Sequence, residues 1–206
     1  MKKVLFLGAH PDDEMGCAGT LARLAGEGAD VEVLTFSGCH DLIPEGFTAD
    51  DLASEWAAAC VTLGLKRPRL QLWDVPNRNF PQHRQAILDA LDDHRQCRHD
   101  LILVPSTWDT HQDHATVAAE AMRAFKNSTI LGYELPLNTI TESRLSAYVP
   151  LTDSQMSMKL AHAALYRSQA SKPYMAADYI LGLARTRGIQ CGTRHAEAFE
   201  VIRWVW

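Results

Sequence analysis

Five consecutive residues, His10-Pro11-Asp12-Asp13-Glu14, set one imidazole and three carboxylates side by side directly after an apolar run, KKVLFLG. Like charges at this density repel one another, and a merely polar loop has no need of them. The arrangement suits a cation. A second cluster, WDTHQDH from Trp108 to His114, follows another apolar run, DLILVPS. Imidazole nitrogen and carboxylate oxygen are ligands of Zn²⁺, and a catalytic zinc takes three protein ligands and leaves one position open. His10, Asp12, Asp13, His111, Asp113 and His114 are all candidates. They outnumber the ligands needed, which leaves polar groups for proton transfer. Two neutral histidines and one aspartate around a dication give a net charge of about +1, which favours a developing oxyanion. Fe²⁺ accepts the same donors and is the alternative metal.

Each cluster alone has an ordinary explanation. An H-x-x-H pair is common, an aspartate after a strand often caps a helix, and Glu14 at a helix start complements the macrodipole. Both clusters on the tips of strands in one sheet is the informative combination. A nucleotide cofactor fits poorly. It wants G-x-G-x-x-G, whereas the turn here reads Gly8-Ala9-His10-Pro11-Asp12-Asp13, and its carboxylates would repel phosphate. A nicotinamide or flavin enzyme is disfavoured on the same ground.

The elements that must hold these residues alternate. KKVLFLG, DVEVLTFS, RLQLWDV, DLILVPS and TILGYEL read as strands. MGCAGTLARLAGEGA, ADDLASEWAAACVTLGL, PQHRQAILDALDDHRQ and HATVAAEAMRAFK read as the helices between and after them. The pattern predicts an α/β fold, a Rossmann-like three-layer sandwich with a mostly parallel sheet and helices on both faces. SQMSMKLAHAALYRSQ and AADYILGLARTRG then read as helices and EAFEVIRWV as a strand or an extended edge, a C-terminal elaboration. We expect one domain over 1–206, with a core over about 1–134 and an elaboration over about 135–206 completing the pocket. In the common strand order 3-2-1-4-5, the first and fourth strands are neighbours where the winding reverses, and ligands bind outside their carboxyl ends. That order would bring both clusters into one crevice.

Composition narrows the classes. The formal charge is −5 over 206 residues, so no nucleic-acid footprint is expected. The longest apolar runs are too short for a transmembrane segment. The opening MKKVLFLG has a basic start, yet its apolar run breaks into charge, so it reads as a strand and not a signal peptide. Cys17, Cys39, Cys60, Cys97 and Cys191 are scattered without a C-x-x-C pair. That argues against a disulfide framework and for a cytoplasmic setting. The remaining histidines read as solvated or structural, with His40 near enough to border the crevice. The loop from Gly38 to Thr48 and the segment from Leu135 to Gln155 are expected to shape the rim. Trp204 and Trp206 are free to pack on this chain or on a partner.

AHPDDE (9–14) together with DTHQDH (109–114) resembles the PIG-L/LmbE-like zinc de-N-acetylases. EWAAACVTLGL, VPNRNF, YRSQ and RGIQCGTRHAEAFEVIR extend a weaker resemblance over most of the chain. The resemblance implies a hydrolase of linear amide C–N bonds that deacetylates an N-acetylglucosamine-type conjugate, releasing acetate and a free amine. It implies His10, Asp13 and His114 as zinc ligands and Asp12 as general base. His111 would stabilise the oxyanion as imidazolium or protonate the leaving nitrogen, and Asp113 would orient a histidine. The partner implied is a small-molecule N-acetylated sugar conjugate. Such proteins often assemble, so a homo-oligomer is an open outcome. Many members carry an arginine shortly before the glutamate matched by Glu55, and ADDLASE has none. The sugar contacts therefore differ, with Arg78 a replacement candidate. A non-sugar acetamide hydrolase, or a non-catalytic metal- or sugar-binding module on the same fold, is the alternative.

Overall fold

A computed structural model describes residues 1–140 and 144–206. Strand β1 (Lys3–Gly8) buries every residue after Lys3. Its side chains alternate between two cores. Val4 and Phe6 face one core, and Leu5 and Leu7 face the other. This is why an unbroken apolar run is required: the strand has no wet face.

Strands β2 (Asp30–Thr35), β3 (Leu70–Leu72), β4 (Leu101–Pro105) and β5 (Thr129–Tyr133) run parallel to β1. With β6 (Leu145–Pro150) and β7 (Ala196–Arg203) they form a seven-stranded sheet in the order β3-β2-β1-β4-β5-β7-β6. Helices α1 (Ala18–Gly26), α2 (Ala49–Thr62), α5 (Asp153–Leu165) and α6 (Ala177–Cys191) cover one face through Leu21, Trp56, Met156 and Ile180. Helices α3 (Phe80–Arg95) and α4 (Gln112–Ala124) cover the other through Ile87, Leu91, Val117 and Ala121. The three layers are those the sequence predicts, and the winding reverses between β1 and β4.

The C-terminal part differs from expectation in two respects. The last strand is no edge: β7 lies inside the sheet, antiparallel to both β5 and β6. The edge is β6, which the sequence reading does not contain. LSAYVP is short, mostly half-exposed and ends in proline, so it carries little strand signal of its own.

Local chemistry fixes the helix starts. Thr48 and Asp51 form a capping box on α2. Helix α1 has no side-chain cap from its own N-cap residue. Instead Glu197 on β7 accepts from Gly19 N at 2.9 Å and from Thr20 N and Oγ1 at 2.6 Å each. Lys159 Nζ of α5 sits 2.6 Å from the same carboxylate. A buried ion pair thus caps α1 while joining α5 to β7. Gly16 lies between β1 and α1, and a β-carbon there would stand 2.7 Å from the Tyr133 ring and 3.0 Å from the Glu134 carbonyl oxygen. Only glycine lets this turn sit so close to β5.

Candidate metal and active site

Past Gly8 the chain turns back on itself, and Asp13 organises the turn. Its Oδ2 accepts from Ala9 N at 2.7 Å and His10 N at 3.0 Å. Two backbone donors of the strand tip are thereby satisfied, and Oδ1 is turned to the crevice, 3.3 Å from His114 Nε2. Asp12 takes the left-handed conformation, φ 93°, which aspartate tolerates better than most residues. Its Oδ2 accepts from Tyr174 Oη at 3.1 Å.

The second cluster is built the same way, by carboxylates holding backbone and rings. Beyond β4, Asp109 Oδ1 accepts from His111 N at 2.8 Å. Asp109 Oδ2 lies 2.7 Å from His114 Nδ1. His111 is the N-cap of α4, and its Nδ1 accepts from Asp113 N at 3.2 Å. Asp113 points back to the first cluster, with Oδ2 3.0 Å from His10 Nε2. The same oxygen accepts from Arg78 N at 2.7 Å.

These partners decide the tautomers. His10 Nε2 and His114 Nδ1 each lie against a carboxylate, so in the neutral rings that a metal requires it is His10 Nδ1 and His114 Nε2 that bear the lone pairs. Those two atoms are 3.2 Å apart, with Asp13 Oδ1 3.3 Å from the second. Lone pairs and an anionic oxygen at these separations repel unless something positive lies between them. A tetrahedron with arms of about 2.0–2.1 Å has edges of about 3.3–3.4 Å, close to the separations found. The donor set therefore fits a divalent metal, and the outer carboxylates fit the usual carboxylate–histidine–metal pattern. His111 comes close enough to form a second grouping, His10, His111 and His114, whose ligand atoms lie within 4.8 Å of one another.

The electrostatics follow. Burial alone would raise the Asp13 carboxyl, yet the His114 and His10 rings outweigh it and hold it well below the usual range. Burial would lower His114, but Asp13 and Asp109 lift it far above an ordinary imidazole. Asp12 is pushed well up by burial and by the charges of Asp13 and Glu14, which outweigh the Tyr174 hydrogen bond and the His114 ring. His111 is lowered by burial and by the neighbouring rings. Its Nδ1 accepts from the Asp113 backbone N–H, which leaves Nε2 as the ring nitrogen that carries a proton.

His10, Asp12, Asp13, His111 and His114 all line one cavity of about 500 Å³. Asp113 is fully buried behind it, on His10. Cys39, Leu42 and Pro44 from the first predicted rim loop and Leu135, Leu137 and Asn138 from the second line the same cavity. Residues 141–143 of that second segment lie outside the described residues. His40 is not in the wall and pairs instead with Asp74 at 3.0 Å. A larger groove of about 1260 Å³ opens at the opposite, amino ends of β1, β4 and β5 and holds none of these residues.

Glu14 does not act as a dipole complement. It is wholly buried and accepts from Trp56 Nε1 at 2.7 Å and Tyr166 Oη at 2.8 Å. It thus ties α2 and the end of α5 beneath the site. Asp109 and Tyr174 were assigned no role by sequence reasoning. Asp109 lies inside the second motif, where its spacing to His114 was a usable signal. Tyr174 had none, since it is far along the chain.

The family model described as PIG-L, GlcNAc-PI de-N-acetylase, matches residues 5–125. That span runs from β1 to the end of α4 and contains both clusters. This chain belongs to the PIG-L family. Among curated proteins, an uncharacterized deacetylase of Escherichia coli K12, YaiS, is 32% identical over 146 residues, covering 66% of this chain and 75% of that protein. Among solved structures, N,N'-diacetylchitobiose deacetylase from Pyrococcus horikoshii superposes with a TM-score of 0.81 at 22% identity, covering 98% of this chain and 84% of that one. The 4-carboxy-2-hydroxymuconate hydratase from Pseudomonas putida KT2440 superposes with a TM-score of 0.77 at 18% identity, over 100% of this PIG-L member and 98% of that chain. Both structures share its fold. Since one is a hydrolase and the other a hydratase, the fold leaves the chemistry to the site.

Proposed function

We propose that this protein is a metal-dependent deacetylase that hydrolyses the acetamide of an N-acetylglucosamine-type conjugate to acetate and a free amine. The observation that carries the reading is that His10 Nδ1 lies 3.2 Å and Asp13 Oδ1 3.3 Å from the same atom, His114 Nε2, in the wall of a cavity that also holds Asp12 and His111. His10, Asp13 and His114 would hold the ion, Zn²⁺ or Fe²⁺. When bound, such an ion supplies Lewis-acid activation of water and of the amide carbonyl.

The chain's own groups do the rest. Asp12 takes a proton from the attacking water and passes it to the departing nitrogen as the C–N bond breaks. His111 donates its Nε2–H to the carbonyl oxygen as that oxygen gains charge. Asp109 and Asp113 hold the two ligand rings in the required tautomer. Tyr174 fixes the Asp12 carboxyl. Residues after about 134 complete the pocket, which Ser168, Lys172 and Tyr174 help to line. A pure binding module needs no base or donor beside its ligands, and the presence of Asp12 and His111 favours catalysis. Five free cysteines support a reducing, cytoplasmic setting. Among the described residues, no helix is long and apolar enough to cross a membrane.

The test is a panel of N-acetylated sugars and non-sugar acetamides, with free-amine assay and product mass spectrometry, run on protein of measured metal content. Asp12→Asn, which keeps the left-handed backbone, should retain metal and lose roughly a hundred-fold or more in kcat. His114→Ala should lose the metal. Undiminished turnover in the first variant, or full metal occupancy in the second, removes these assignments.

A further inference from the structure

We propose that Asn138 is a positioning residue of the metal site: acting through Asp109, it holds the His114 ring in place and so sets how tightly the ion is bound. The inference rests on the reading of His10, Asp13 and His114 as metal ligands and extends it to a residue outside both motifs.

Asn138 stands 24 residues past His114, at the end of a short turn, Pro136–Asn138, that follows β5. Its own N donates to Leu135 O at 2.9 Å and closes that turn. Its carbonyl oxygen accepts from Thr110 N at 3.0 Å and from Thr110 Oγ1 at 2.7 Å. Two hydrogen bonds to one residue of the second motif therefore fix the Asn138 main chain, whatever its side chain does. The side chain reaches the neighbouring residue, where Nδ2 donates to Asp109 Oδ2 at 3.3 Å. The opposite amide orientation would set Oδ1 against a carboxylate oxygen, two acceptors with no proton between them.

Asp109 Oδ2 is the oxygen that His114 Nδ1 meets at 2.7 Å. With His114 neutral, as a metal requires, Nδ1 carries a proton. One oxygen then takes hydrogen bonds from the ring and from the amide, whose nitrogens stand 3.5 Å apart. The other oxygen, Oδ1, is held by His111 N at 2.8 Å. The carboxylate is thus pinned at both ends without His114, and the ring is aimed by a group already fixed. Without Asn138 the carboxylate would stay buried with one donor fewer, free to pivot about His111 N. Direct partners of a ligating histidine change metal affinity by about 10–100-fold, and a group one bond further out should change it by about five- to tenfold. The main-chain bonds to Thr110 survive a side-chain substitution, so the loss falls on the site and not on the fold.

The test measures Zn²⁺ affinity by chelator competition, on the full chain stripped of metal and reloaded. Asn138→Leu keeps the bulk of the side chain and removes its donor. It should weaken Zn²⁺ binding by about five- to tenfold, while the metal-free protein melts where the natural one does. Asn138→Ala, which introduces no bulk, should give the same loss. In an Asp109→Ala background, Asn138→Leu should change the affinity by less than about twofold, because nothing remains for Asn138 to act through. Natural affinity in both single variants, or a loss that persists in full in the Asp109→Ala background, overturns the proposal. If the natural protein binds Zn²⁺ no tighter than His114→Ala does, the ligand reading itself fails and the proposal falls with it.

Discussion

At the scale of the residue, the site works by subtraction: each potential hydrogen-bond partner that is occupied forces the remaining atom towards the centre. His10 spends Nε2 on Asp113, His114 spends Nδ1 on Asp109, and Asp13 spends Oδ2 on two backbone N–H groups. What is left for a metal is one nitrogen of each ring and one carboxylate oxygen, the oxygen 3.3 Å from His114 Nε2 and the nitrogens 3.2 Å apart. Asp109 therefore matters without touching the ion. Asp109→Asn should weaken metal affinity by about 10–100-fold, read by competition with a chelator, while far-UV circular dichroism stays native. Unchanged affinity would mean that Asp109 only caps the turn through His111 N. The histidines and aspartates of both motifs were legible in the sequence because their types and crowding have few other uses. Tyr174 was not, since a tyrosine far along the chain carries no mark of the carboxylate it will meet.

Among the elements, two strand tips and one helix start carry the site, and the packing beneath keeps them in register. The N-terminus of α1 depends on Glu197, which is held by Lys159 and by three donors of Gly19 and Thr20. Removing the carboxylate strands a buried ammonium and uncaps the helix together. Glu197→Leu should therefore destabilise the protein by about 3–5 kcal/mol in urea unfolding. Lys159→Met should destabilise it by less than half as much, since Glu197 keeps its backbone donors and the helix dipole. Equal losses would show that the ion pair, not the cap, is what counts. The five parallel strands were readable as apolar runs between periodic helices. The place of β7 inside the sheet, and the existence of β6, were not. Both depend on antiparallel pairing with partners distant in sequence, which local pattern does not record.

For the molecule as a whole, the sheet separates two ends with different duties. The carboxyl ends of β1 and β4 hold the reactive cluster. Nearer the other end, Glu32 of β2 lies 3.5 Å from His94 Nδ1 and 3.4 Å from His99 Nε2, bracing α3 and the approach to β4. Hydrogen bonds from His94 and then His99 hold the Glu32 carboxyl well below the ordinary glutamate value, against an opposing effect of burial. A folded-state value below the unfolded one contributes stability above the unfolded pKa of about 4.3 and loses it as pH falls towards the folded value. The natural protein should exceed Glu32→Gln in unfolding free energy at neutral pH, and the gap should narrow progressively as pH falls below about 4.3. A gap constant down to about pH 3 would mean that Glu32 is not its source.

By itself the sequence determined the α/β class, the run of five parallel strands and the two motifs, because hydrophobic period and residue type are local properties. The family, too, could be read from those motifs. Only the tertiary structure decided which ring nitrogen each carboxylate engages, that His111 turns Nδ1 to a backbone N–H, that Glu14 is a buried tie, and that Arg78 takes a left-handed backbone at the cavity wall. Those are properties of which partner reaches which atom first. That depends on neighbours brought from across the sheet, such as Asp113 to His10 and Tyr174 to Asp12, and no stretch of chain carries the information alone.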